Sequence, residues 1–312
     1  MENTLHLSNQ YLDVEIRLPG STPESERFDA CAQIQQVVLN GRHRFCQPEQ
    51  LRPERVTCHG IGLCSEFVMD SVGEKVRAGE LFPKFGVGQM RQIRDFLPYD
   101  MWSHYEISRF STHWRHGEDW IEFEEEPETC LGMAARILRR VQLFSNTLSV
   151  STTIINTGRE PLDFFEYQHN FVSIDDLPAG PGYVLEIPYD GTISDLERSF
   201  RNLADLTPTD ASCVKVEGQQ IRWTQSLDGY TYHKVTEAED ILPQSMYKWT
   251  LRHSGSPVSI SEISHFQPQR IVLWGIEHCI CTEVYHRIQA APGSSHHFSR
   301  TWIFRDDRTQ EA

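Results

Sequence analysis

The sequence predicts an all-β protein, a large antiparallel sandwich with few short helices. Three observations carry that reading. Short stretches alternating apolar with polar residues recur along all 312 residues, Gly, Pro, Asn and Asp turns separate them, and helical periodicity is weak throughout. Residues 11–18 (YLDVEIRL) put Leu12, Val14, Ile16 and Leu18 on one face. Residues 33–39 (QIQQVVL) run into Asn40-Gly41, a pair suited to the positive φ angles of a two-residue hairpin turn. Residues 146–155 (NTLSVSTTII) alternate up to the turn Asn156-Thr157-Gly158. Further strands are expected over 99–110, 119–125, 162–175, 183–189, 213–225, 229–236, 246–252, 257–266, 270–274, 279–290 and 298–304. The best helix candidates are 131–144 and 195–204, the first equally readable as a strand. Only the short turn-rich loops 19–26 and 176–182 interrupt the pattern, and no repeat, low-complexity block or linker divides it. One domain spanning residues 1–312 is expected.

Charge narrows the choice of partners. Against 44 acidic residues stand 29 basic ones, a formal charge of −15, which speaks against sequence-independent binding to nucleic acid or to an anionic membrane. The N-terminus lacks a basic region followed by an apolar one, and no apolar run approaches a membrane span. Eight cysteines occur without a C-x-x-C pair, and Cys279 and Cys281 share a strand face. Reduced thiols and a cytoplasmic location are expected.

The stretch with the most chemistry is 162–175, LDFFEYQHNFVSID. As a strand it puts Phe165, Tyr167, His169 and Phe171 on one face, with Gln168 and Asn170 on the other. An imidazole among aromatic rings is partly desolvated and stays neutral near pH 7. The ordinary alternative is a core histidine bonded to a carbonyl. A second stretch, 280–285 (ICTEVY), sets Cys281, Glu283, Tyr285 and Arg287 on one face. A carboxylate within an apolar strand needs a partner: either Arg287 in a salt bridge, or a role as a base facing the histidine. A third, 57–67 (TCHGIGLCSEF), pairs His59 with glycines that permit close backbone approach. In a fourth, 82–88 (FPKFGVG), Lys84 sits between aromatics and glycines, where a snorkelling surface lysine is the plain reading. His113-x-x-His116 and His296-His297 bring no further ligand at a metal-binding spacing, so no metal site is expected. No P-loop, G-x-G-x-x-G or G-x-S-x-G occurs.

QHNF at 168–171, the run TEVYHRI…APG…F…RTWIF at 282–304, and the early RFDACAQIQQVVLNGRHRF with His59-Gly60 together resemble the galactose mutarotase (aldose 1-epimerase) superfamily, in a divergent branch. The resemblance implies a β-supersandwich and cofactor-independent interconversion of aldose anomers. It implies His169 as catalytic acid and Glu283 as base, with substrate contacts from His59 and, more loosely, Arg27. Glu66 and Lys84 join the candidates from local sequence, and Tyr167, Phe171 and Trp274 offer surfaces for a sugar's apolar face. Gln168 stands where the superfamily usually has asparagine, and Ile61 where a second glycine is common. Asp240 is the nearest candidate for the superfamily's substrate-binding aspartate. The expected partner is a small-molecule carbohydrate, with a homodimer left open. The alternatives are an epimerase or lyase acting on a keto or acidic sugar, or a carbohydrate-binding protein without turnover.

Overall fold

Alternation in the sequence becomes alternation in burial. In the computed structural model, residues 3–54, 56–126, 128–187, 213–229, 231–237 and 246–310 are described. Ala135–Phe144 and Thr147–Asn156 pair as an antiparallel hairpin in which every second side chain is buried. The stretch 131–144 is thus strand rather than helix: Ile137, Arg139, Val141 and Leu143 point inward at period two, which no helix satisfies. The candidates at 195–204 and Asp240 lie outside the described residues.

Two large antiparallel sheets result. The first runs in space Thr4–Ser8, Leu12–Arg17, Ile34–Leu39, Leu63–Val68, Leu162–Asn170, Cys279–Ala290, Arg270–Ile276, Thr231–Glu237, with His43–Arg44 hairpinned onto Ile34–Leu39. That hairpin turns at Asn40 and Gly41, both at positive φ (53° and 66°). The second runs Val214–Glu217, Gln220–Trp223, Tyr183–Glu186, Tyr247–His253, Val258–Ser264, Ser295–Asp306, Thr147–Asn156, Ala135–Phe144, Trp120–Glu126, Ser111–His116. A small sheet of Leu81–Lys84, Gly88–Arg91 and Ile107–Ser108 stands apart. No helix of seven or more residues occurs among the described residues, and none is long and apolar enough to cross a membrane.

Two expected strands are broken. Of 99–110 only Ile107–Ser108 is strand; Asp100 instead accepts from the Trp102 N–H and the Ser103 hydroxyl and makes a turn. The 213–225 stretch divides at Gly218 (φ +60°) into a two-strand hairpin. Leu63–Val68 and Leu81–Lys84, which carry Glu66 and Lys84, were not among the expected strands.

The apolar core includes Trp249, Trp302, Ile260 and Phe304 of the second sheet and Leu63, Val284 and Ile288 of the first. Through it runs a buried polar chain. Trp302 Nε1 donates to Asn170 Oδ1 (3.1 Å), and Asn170 Nδ2 donates to Glu262 (2.8 Å) and to the Thr282 carbonyl (2.9 Å). Arg300 pairs with Glu166 (2.8 Å) and Glu262 (3.3 Å). Glu166 also accepts from the Ser65 hydroxyl (2.8 Å). Paired buried charges of this kind resist removal of a single partner, so the reverse face of the Leu162–Asn170 strand is clamped against the second sheet.

Candidate active site

The strand Leu162–Asn170 lies between Leu63–Val68 and Cys279–Ala290. Its pairings set Tyr167 opposite both Glu66 and Tyr285, and His169 opposite Cys64. Carrying the register from Tyr167↔Tyr285 to the Val172↔Ile280 bridge brings Glu283 opposite His169. In between, side chains replace main-chain pairing: Cys281 Sγ accepts the Asn170 N–H (3.0 Å), and the Asn170 amide takes the Thr282 carbonyl. His169 Nε2 lies 3.1 Å from Glu283 Oε1. The other Glu283 oxygen accepts from the Tyr285 hydroxyl (3.0 Å). Arg287, the alternative partner, makes a two-point contact with Asp163 at the exposed end of the strand instead.

Aromatic rings wall the pair. The His169 imidazole stacks on Phe171 (centroids 3.8 Å apart, 14°) and meets the edges of Trp274 (5.3 Å) and Phe28 (5.9 Å). Tyr167 stacks on Tyr285 (4.6 Å). Phe165 shares the strand face yet lies two residues beyond this wall and is exposed. His169 and Glu283 are only 2% and 3% exposed, so water screens neither. Burial, helped by the nearby Arg27 charge, holds His169 well below the usual imidazole range. Burial pushes the Glu283 carboxyl up to about 8, against opposition from Arg27 and the Tyr285 hydroxyl. Both groups favour their neutral forms, so near pH 7 the 3.1 Å approach is between two uncharged groups rather than an ion pair.

Beside the pair lies a charge cluster. Ser25 Oγ accepts from the N–H groups of Arg27 and Phe28, a local turn that aims both side chains at the site. Arg27 donates to Glu66 (2.7 Å) and Tyr167 (2.9 Å), reaches Glu49 at 3.5 Å, and lies over the Phe28 ring. Lys84 donates to Glu66 (3.1 Å) and to the Phe67 carbonyl (3.0 Å), with its ammonium 4.3 Å from the centre of the Tyr99 ring. Lys84 is 1% exposed, so the snorkelling-lysine reading is wrong: its ammonium is consumed by Glu66. Burial alone would raise Glu66, but Arg27 and Lys84, with the Tyr167 hydroxyl, bring it down to about 2. Two cations thus meet two carboxylates.

His59 stands at the rim, half-buried, with Nδ1 3.5 Å from Glu49 and its ring edge near Trp102. The structure therefore gathers His169, Glu283, Tyr167, Arg27, Glu66, Lys84, Trp274 and His59 in one region. Sequence reading missed Glu49, which stands outside any strand and is placed by main-chain bonding to Gly60. It also missed Phe28 and the link from Tyr285 to Glu283, though the shared face of 283 and 285 was a usable signal.

No protein-family model matches the chain, and no curated protein matches it in sequence. Solved structures do match. The Slr1438 protein of Synechocystis sp. PCC 6803 superposes with a TM-score of 0.60 at 12% identity, over 97% of this chain and 96% of that one. A galactose mutarotase-like protein from Lactobacillus casei gives 0.56 at 13% identity, over 97% and 100%. The GalM/aldose epimerase homologue from C. elegans gives 0.50 at 11% identity, over 97% and 98%. At such identities the likeness speaks for fold alone, and the fold of this chain is that of the galactose mutarotase-like proteins.

Proposed function

We propose that the protein is a cofactor-independent carbohydrate mutarotase that exchanges the anomers of a neutral aldose through His169 and Glu283. One observation carries the reading: a titratable donor and a titratable acceptor, 3.1 Å apart, buried among aromatic rings. Opening an aldose ring requires a proton to leave the C1 hydroxyl and another to reach the ring oxygen. Both oxygens are bonded to C1, so acid and base must converge on neighbouring atoms, as these two side chains do.

The pair holds one exchangeable proton. In the substrate-free site that proton rests on Glu283, with His169 neutral. The acid and base roles implied by the resemblance follow once the proton crosses the 3.1 Å between the two groups to His169. Without that transfer Glu283 protonates the ring oxygen and His169 takes the hydroxyl proton. Ring closure after rotation about C1–C2 reverses the transfers in either case. Acid–base assistance of this kind contributes roughly 10²- to 10⁴-fold. Trp274, half-buried, offers a ring surface for the sugar's C–H groups, and His59 is placed to meet a hydroxyl.

Charge supports a neutral substrate. Arg27 and Lys84, the cations that would hold a phosphate or carboxylate, already face Glu66 and Glu49. An acidic sugar would have to displace a buried carboxylate from them, at the cost of leaving it unpaired.

The test is anomer exchange measured by NMR saturation transfer across neutral aldoses, sugar phosphates and uronic acids. Acceleration confined to neutral sugars, and lost in His169→Ala and Glu283→Gln, is expected. Sugar binding that survives both substitutions with no exchange in any class would instead identify a non-catalytic binding protein.

A further inference from the structure

A ring nitrogen of His169, Sγ of Cys281 and a carboxylate oxygen of Glu283 lie within 4.8 Å of one another, and all three residues are buried. Cys281 and Glu283 are two apart on one strand, hence on one face, and His169 comes from the adjoining strand of the same sheet. We infer that these three side chains form a binding site for a divalent, thiolate-accepting cation of the zinc class. The inference goes beyond mutarotation, and the binding itself does not depend on that activity.

The donors suit such an ion in kind and spacing. Four-coordinate zinc binds imidazole nitrogen, thiolate and carboxylate oxygen at about 2.0–2.3 Å, which puts neighbouring donors roughly 3.3–3.7 Å apart. The nitrogen–oxygen separation of 3.1 Å is already close to this, and the sulfur needs a shift of about an ångström or less from the 4.8 Å limit. Among the described residues His169 Nδ1 is buried with no hydrogen-bond partner, so ring packing, and no bond at that nitrogen, fixes the ring. Cys281 uses its sulfur only as an acceptor, from the Asn170 N–H, an interaction that strengthens on conversion to thiolate. Charge closes as well: a dication with one thiolate, one carboxylate and one neutral imidazole is neutral overall. Binding then expels two protons, one from the Cys281 thiol and one from the Glu283 carboxyl, and the metal replaces both.

A second cluster, Asp29, Cys31 and Glu125, also gathers a thiol with carboxylates but lacks this character. There the Arg139 guanidinium stands 2.6 Å from Asp29 and already supplies the cation. At the first cluster the guanidinium whose charge acts on His169 and Glu283, that of Arg27, is already paired with Glu66 and Glu49. On the proposed function, metal and proton shuttle need the same lone pairs of His169 and Glu283, so bound zinc suppresses turnover.

Cobalt titration of the chelator-treated full chain tests the site. A thiolate-to-cobalt charge-transfer band with the visible bands of four-coordinate Co²⁺ is expected, and zinc should displace both. Cys281→Ser should abolish the charge-transfer band and weaken zinc, in competition with a chromophoric chelator, by about 100-fold or more. Cys64→Ser and Cys279→Ser, at buried thiols nearby, should leave both readouts in place. Absence of the band in the wild type, or a band that survives Cys281→Ser, overturns the site. Zinc inhibition of anomer exchange, reversed by chelator, is the second readout. If no sugar is turned over while the band behaves as expected, the mutarotase reading fails and the metal site stands.

Discussion

Replacing Glu283 by glutamine separates what the site does for catalysis from what it costs the fold. The folded protein holds this carboxyl up at about 8, against an ordinary value of 4.5. A carboxyl whose folded value is raised favours folding most below the unfolded value, and that advantage is lost as pH rises through the folded one. Each pH unit is worth about 1.4 kcal/mol. At pH 7, keeping Glu283 neutral therefore costs the native state about 3 kcal/mol relative to an unfolded chain in which it ionises. Above pH 8 the cost reaches about 5 kcal/mol. Glutamine removes it, because an amide does not ionise.

The substitution also keeps the side chain's shape and its recorded bond: the amide is isosteric with the carboxyl, and the amide carbonyl still accepts from Tyr285. Glu283→Gln should therefore match wild type in urea unfolding near pH 5 and exceed it at pH 8.5. For 312 residues the unfolding entropy near the melting point is about 0.65 kcal/mol per kelvin, so 3 kcal/mol corresponds to about 5 °C in Tm. Anomer exchange should be lost across the same pH range, because the variant has no group to carry the proton. Equal stability at both pH values would show that Glu283 ionises freely in the fold. A variant less stable at pH 8.5 would show that the native state uses the carboxylate charge. Either result refutes the neutral-pair reasoning.

Four further outcomes follow from the same geometry. The kcat/KM for anomer exchange should be flat through neutrality and fall above about pH 8, where Glu283 ionises and the pair loses its exchangeable proton; an optimum above pH 9 contradicts this. Arg27→Met leaves Glu66 and Glu49 short of a buried cation and should cost about 3–5 kcal/mol, a fall of roughly 5–8 °C in Tm by calorimetry. Glu66 is held down at about 2, so the stability it contributes is present above pH 4.5 and lost as pH falls toward 2; that acid limb should shrink in Arg27→Met. Gly60→Ala puts a methyl 2.3 Å from Phe171, the ring on which His169 stacks, and should cost about 1–3 kcal/mol while lowering kcat more than it changes KM; unchanged kinetics would show that the His169 ring is not set by Phe171.

How far the site could be read from the sequence depends on which interactions are periodic. Tyr167, His169 and Phe171 occupy one alternation phase, as do Cys281, Glu283 and Tyr285, so each strand's face was legible before either strand had a neighbour. Adjacency was not: pairing of 162–170 with 279–290 joins residues more than a hundred positions apart, and nothing in either stretch names the other. The charged residues were harder still. Glu49 obeys no periodicity and reaches Arg27 because its N–H bonds the Gly60 carbonyl across a loop. Lys84 between aromatics and glycines looks like a surface lysine until Leu63–Val68 is seen to place Glu66 3.1 Å from its ammonium. A buried cation must find a carboxylate, but which carboxylate is a property of the fold rather than of residue type. The consequence reaches the substrate. In sequence, Arg27 and Lys84 leave a charged sugar open; with Glu66 and Glu49 against them, the same two residues support the neutral substrate proposed above.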